Sequence, residues 1–218
     1  MRASRPTLSR PRSRDRATQR ASPRLPQTRL SNQNKPLAVA ITGGIGAGKS
    51  EALAAFERHG AATISSDEVV HEFYDDPDVK EALRERFGTD EREAVRDLVV
   101  AERDALLWLE GLLHPRVMQR TEDWRDELAS RPDPPALAVN EVPLLYETGA
   151  EGRFDAVVVI TAPRDLRAER AGERLDEREK RLIPDEEKIQ RADFSYVNDG
   201  SLEELDQFVS GVVEKLSA

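Results

Sequence analysis

Residues 43–50 read Gly-Gly-Ile-Gly-Ala-Gly-Lys-Ser, and few other stretches of this length constrain a fold so strongly. A glycine, four intervening residues and then Gly48, Lys49 and Ser50 fit the pattern of a phosphate-binding loop. Its glycines (Gly43, Gly44, Gly46 and Gly48), with Ile45 and Ala47 between them, let successive backbone N–H groups curl around phosphate oxygens. Lys49 supplies a point charge to the β- and γ-phosphates, and the Ser50 hydroxyl suits Mg²⁺. The flanks agree with this reading. The apolar run Leu37-Ala-Val-Ala-Ile-Thr42 predicts a buried strand, and Glu51 to His59 predicts a helix whose positive end would favour a polyphosphate. The expectation is therefore an ATP or GTP site, with the reaction set by other residues.

A chain of 218 residues is long enough for one α/β domain, with or without a small insertion. It contains no cysteine, which removes disulfides, thiolate metal sites and thiol catalysis. Three widely spaced histidines, His59, His71 and His114, do not suggest zinc. No apolar run approaches membrane-spanning length, so a soluble, cytoplasmic protein is expected. Residues 1–36 carry ten Arg or Lys against Asp15 alone, a charge of +9, which leaves −18 for the remainder of a chain whose net charge is −9. An acidic body does not resemble a nucleic-acid binder. The leader, rich in Ser, Thr and Pro, is expected to be a disordered basic extension. A targeting peptide and an upstream start before a true beginning near Lys35 stand beside that reading.

Beyond the first helix, Ala61 to Ser65 predicts a second strand, and Asp67 follows its carboxyl end, where ligands bind in open α/β sheets. Asp67 is a candidate base or Mg²⁺-linked carboxylate; the alternative is an N-cap for a helix from Glu68 to Tyr74. Residues 77–131 read as helices, with Pro115 expected to bend or break the chain beside His114. Ala136 to Val142 predicts a strand that ends on Glu141, an acid suited to contacts with Mg²⁺ through water, and Pro143-Leu-Leu offers an apolar wall. Phe154 to Thr161 predicts a buried parallel strand. The basic run from Arg164 to Arg191 is either a solvated helical face or a lid whose arginines neutralise a transferring phosphoryl group. Phe194 to Val197 and Leu202 to Leu216 complete the chain as strand and helix. The alternation predicts a three-layer α/β/α fold around a five-stranded parallel sheet, with a helical region at 68–131, and the lid reading of the basic run places that lid at 170–191.

The ordered set Thr-Gly-Gly-Ile-Gly-Ala-Gly-Lys-Ser (42–50), Asp67, Leu-Leu-His-Pro (112–115), Val-Pro-Leu-Leu-Tyr-Glu (142–147) and Ala-Asp-Phe-Ser-Tyr-Val-Asn-Asp-Gly (192–200) resembles the dephospho-CoA kinases, phosphate-loop proteins of the nucleoside-monophosphate-kinase-like type. The resemblance spans residues 37–217. It implies transfer of the ATP γ-phosphoryl group, with Mg²⁺, to the ribose 3′-hydroxyl of dephospho-CoA, the last step of CoA synthesis. It implies Asp67 as base, Lys49 and Ser50 on the phosphates and Mg²⁺, and Arg170 and Arg174 as arginines leading into the lid. It further implies an acceptor region around His114, Pro115, Pro143, Leu144, Leu145 and Glu147, and an adenine-side loop from Asn198 to Gly200. The chain departs from the family pattern at Ser65, where Asp is usual, at Leu182, where Gln is frequent, and in a contraction between Gly88 and Glu91. A kinase of another nucleotide-like acceptor, or a nucleotide-binding regulator without turnover, are the competing readings.

Overall fold

The computed structural model describes residues 35–171 and 182–218. Five strands form one sheet: β1 (Leu37–Thr42), β2 (Ala62–Ser65), β3 (Leu137–Glu141), β4 (Ala156–Thr161) and β5 (Phe194–Val197). Their spatial order is β2-β3-β1-β4-β5 and every pairing is parallel. Parallel neighbours need crossovers, and helices supply them: α1 (Lys49–Arg58) between β1 and β2, then α2 (Ser66–Phe73), α3 (Pro77–Phe87), α4 (Arg92–Ala101) and α5 (Arg103–Ala129) before β3. The helices α6 (Arg164–Ala171) and α7 (Asp185–Arg191) precede β5, and α8 (Leu202–Ser217) closes the chain.

The strands are apolar on both faces because both are covered. Val39, Ile41, Val158 and Ile160 point one way, onto Phe56 of α1 and Leu205, Val209 and Val212 of α8. Their neighbours Ala40, Val157 and Val159 point the other way, onto Leu145 and Tyr146. This is the two-residue period of a strand read twice. The helical region α2 to α5 has a core of its own, built on Val79, Leu83, Val95, Val99, Leu109 and Leu113. Local signals agree with the helix ends. Asp76 caps α3 by accepting from Asp78 N at 2.9 Å and Val79 N at 3.3 Å, with Pro77 in the first turn. Ser201 and Glu204 close a capping box on α8.

Two expectations are corrected. Pro115 does not break the helix: α5 runs unbroken for 27 residues. Leu109 and Leu113 are buried before the proline and Thr121 and Leu128 after it. Packing on both sides outweighs the loss, of order 3 kcal/mol, that a mid-helix proline imposes. Asp67 is not an N-cap either, since Ser65 caps α2 and Asp67 is its second residue. Of the segments singled out by sequence, the basic leader up to residue 34 and lid residues 172–181, with Arg174, lie outside the described residues.

Candidate active site

The carboxyl ends of the five strands converge on polar side chains that are all but removed from water. Thr42 ends β1, Ser65 ends β2, Glu141 ends β3, Thr161 ends β4, and Asn198 follows β5, each no more than 6% exposed. Buried polar groups need partners, and here they hold one another and the loops that leave the strands. Thr42 Oγ1 donates to the Pro143 carbonyl at 3.3 Å, and Thr161 Oγ1 donates to the Tyr196 carbonyl at 3.4 Å.

The phosphate loop is pressed into this edge. Gly43 has a φ of 148°, and a Cβ there would land on the Ile160 carbonyl. Gly48, with a φ of 96°, caps α1 in the left-handed region, and a Cβ there would meet the Asn198 amide. Asn198 Nδ2 donates to the Ala47 carbonyl at 2.9 Å, so this side chain braces the loop from behind. Gly200 lies near the start of α8, where its space is filled by the Glu204 carboxylate. From the other side Arg170 Nη1 donates to the Gly46 carbonyl at 3.2 Å. Arg167 packs against Gly44 and Gly46, donates through Nε to the Ala162 carbonyl at 3.0 Å and stands 3.7 Å from Asp185. Ser50 is exposed in the first turn of α1.

Lys49 folds back over the loop. Its ammonium donates to the Gly44 carbonyl at 3.2 Å and stands 4.0 Å from Glu141 Oε1. Burial lowers its pKa, and Glu141 and Asp67 act in the opposite direction. Glu141 is shifted upward, again first by burial and then by Asp67, while Lys49 and a hydrogen bond from Ser65 pull it back. Ser65 lies opposite Glu141 in the β2–β3 register. A hydroxyl there donates to the carboxylate, where an aspartate would repel it.

Asp67 opens onto a cavity of about 420 Å³ lined also by His114, Pro143, Leu144, Arg125 and Arg153. Of the expected acceptor residues, the fold therefore brings His114, Pro143 and Leu144 to the same space as Asp67. It does not bring Leu145, which is fully buried in the core, or Glu147, which pairs with Lys188 at 2.9 Å. Pro115 stays within α5 and does not line the cavity. Sequence reasoning missed Val117, Thr121 and Arg125, which line the cavity with His114. Their spacing along α5 repeats at the helical period, which is the signal that marks them. It also missed Asn140, whose Oδ1 accepts from Ser66 Oγ at 3.2 Å, although a polar residue inside Leu-Ala-Val-Asn-Glu is legible as an exception.

The donor set suits magnesium. Ser50 offers a hydroxyl and Glu141 a carboxylate, and among the described residues no group of three or more His, Asp or Glu stands ready for a metal. Mg²⁺ commonly takes one or two protein ligands and completes its shell with water and substrate phosphates. Among the described residues no helix is long and apolar enough to cross a membrane.

A phosphate loop on the central strand of a parallel sheet, with a lysine over it and an acid facing a neighbouring cavity, defines a P-loop kinase. The family model for dephospho-CoA kinase matches residues 37–204. The dephospho-CoA kinase of Brucella melitensis is 33% identical over 193 residues, covering 83% of this chain and 96% of that one. That of Frankia casuarinae is 34% identical over 196 residues, covering 83% of each. The solved structure of TT1252 from Thermus thermophilus superposes with a TM-score of 0.70 at 30% identity, covering 84% of this chain and all of the other. The chain belongs to the dephospho-CoA kinase family and is an ATP-dependent kinase.

Proposed function

We propose that the chain carries the γ-phosphoryl group of ATP to the ribose 3′-hydroxyl of dephospho-CoA, with Asp67 as base and residues 43–50 as the ATP cradle. The observation that carries this reading is the position of Asp67. It lines the 420 Å³ cavity on one side, and on the other its charge acts on both Lys49 and Glu141. The acceptor's nucleoside end enters between His114 on α5 and the Pro143–Leu144 wall. Asp67 takes the hydroxyl proton as its oxygen bonds to the γ-phosphorus, and the β–γ bridging oxygen departs on ADP.

Lys49 exchanges its Gly44 carbonyl for phosphate oxygens and stabilises the charge that develops on them. Arg170, already on the loop at Gly46, brings a second cation to the cradle, and Arg174 keeps the role implied by the resemblance. Mg²⁺, held by the Ser50 hydroxyl and through water by Glu141, would neutralise charge on the β- and γ-phosphates. Asn198 acts on ATP through the loop it braces. Leu145 and Glu147 support the acceptor wall from behind it. The reading carries a cytoplasmic location with it.

The test is CoA formation from ATP and dephospho-CoA by the purified chain and by Asp67→Asn. The substitution keeps shape and ATP binding, and turnover falls by about 10²- to 10⁴-fold, the usual contribution of a positioned base. Unchanged turnover removes Asp67 from the chemistry.

A further inference from the structure

The turn after β3 and helix α7 are tied together at two points. Glu147 Oε1 lies 2.9 Å from the Lys188 ammonium and also accepts from the backbone N–H of Ile183 at 2.9 Å. Glu151 pairs with Arg191, whose guanidinium stands 4.3 Å from the centre of the Tyr146 ring. Lys188 is wholly buried. Beyond their mutual contact, neither its ammonium nor the second Glu147 oxygen finds a hydrogen bond among the described residues.

Taking such a pair out of water costs several kcal/mol per ion, and an apolar pair of similar volume often holds a fold as well or better. Stability is a weak reason to keep such a pair, and its location offers another. Glu147 belongs to the turn that lines the acceptor cavity with Pro143, Leu144 and Thr148. Lys188 is close enough for its charge to act on Lys49, and Asp185, at the start of the same helix, stands beside Gly44.

We propose that the Glu147–Lys188 pair is a positioning device for phosphoryl transfer: it sets the Pro143–Leu144 wall against the phosphate loop. Neither residue touches substrate. The inference rests on the reading of the cavity as the acceptor site, and wild-type CoA formation from dephospho-CoA tests that reading separately.

The experiment compares Glu147→Gln, Lys188→Met and the double variant for thermal stability, ATP affinity without acceptor, and kcat/KM for dephospho-CoA. Each single change leaves a buried charge without its counter-charge and lowers Tm, while the double change removes both charges and restores Tm to within about 3 °C of wild type. In that restored protein ATP affinity stays within about twofold of wild type and kcat/KM for dephospho-CoA remains about tenfold or more below it. A double variant with wild-type kcat/KM overturns the proposal, because the pair then serves the fold alone. Should the double variant not fold, Glu147→Gln, which keeps the volume and the acceptor for Ile183, reads the same quantity, and wild-type kcat/KM there overturns it equally.

Discussion

Asn198 separates two accounts of how the nucleotide is held. The resemblance places it on the adenine side, whereas its amide donates to the Ala47 carbonyl at 2.9 Å and is 4% exposed. Asn198→Ala removes the donor and leaves a buried carbonyl unsatisfied, at a cost of about 1–3 kcal/mol. For a domain of this size that corresponds to a fall in Tm of about 2–12 °C. The same loss of order at Ala47 and Gly48 must be made good when the loop closes on phosphate, so ATP affinity falls by about tenfold. Asn198→Asp keeps the shape but turns a carboxylate toward the carbonyl beneath the phosphates, and weakens ATP binding further. Thermal unfolding and calorimetric titration with ATP and GTP measure both effects. A brace lowers affinity for the two nucleotides by the same factor. ATP affinity within about twofold of wild type in Asn198→Ala, or a change in the ratio of ATP to GTP affinity, refutes the reasoning.

Three further outcomes follow from the same geometry. Glu141 binds its proton more tightly in the folded state, chiefly because it is buried, so its contribution to stability is present below its ordinary value of 4.5 and is lost as pH rises through the raised folded value. Glu141→Gln therefore gains stability relative to wild type as pH climbs from 4.5 toward neutrality, and parallel Tm profiles for the two proteins would contradict this. Leu145→Ala empties a fully buried site and costs about 2–5 kcal/mol in chemical denaturation. Leu144→Ala, on the cavity wall, changes stability by less than about 1 kcal/mol and instead raises KM for dephospho-CoA. Equal effects of the two leucines on both measurements would remove the distinction between wall and core.

The sheet was legible because its strands announce themselves: Leu-Ala-Val-Ala-Ile-Thr and Ala-Val-Val-Val-Ile-Thr have no other home than a layer covered on both sides. The phosphate loop was legible for the same local reason, since each glycine does a backbone job that no other residue does as cheaply. What escaped the sequence depends on contacts between distant segments. Pro115 carries a strong local signal for a break, and only the packing of both halves of α5 overrides it. Asn198 precedes a turn, and nothing in its neighbourhood says that its amide faces Ala47, 151 residues away. Lys188 sits in a run of charges that reads as a solvated face or a lid, and its burial against Glu147 leaves no periodicity to find. Ser65 reads as a missing acid, while the register of β2 on β3 makes it a donor to Glu141.

The central claim is that the cavity facing Asp67 selects dephospho-CoA and presents its 3′-hydroxyl to ATP. The most direct measurement gives the purified chain ATP, Mg²⁺ and a mixture of dephospho-CoA, AMP and adenosine, and locates the new phosphate in the product by ³¹P NMR. The account predicts phosphate on the ribose 3′-oxygen of dephospho-CoA, forming CoA ahead of any other product. Phosphate transferred preferentially to AMP or adenosine, or to another position of dephospho-CoA, would contradict it.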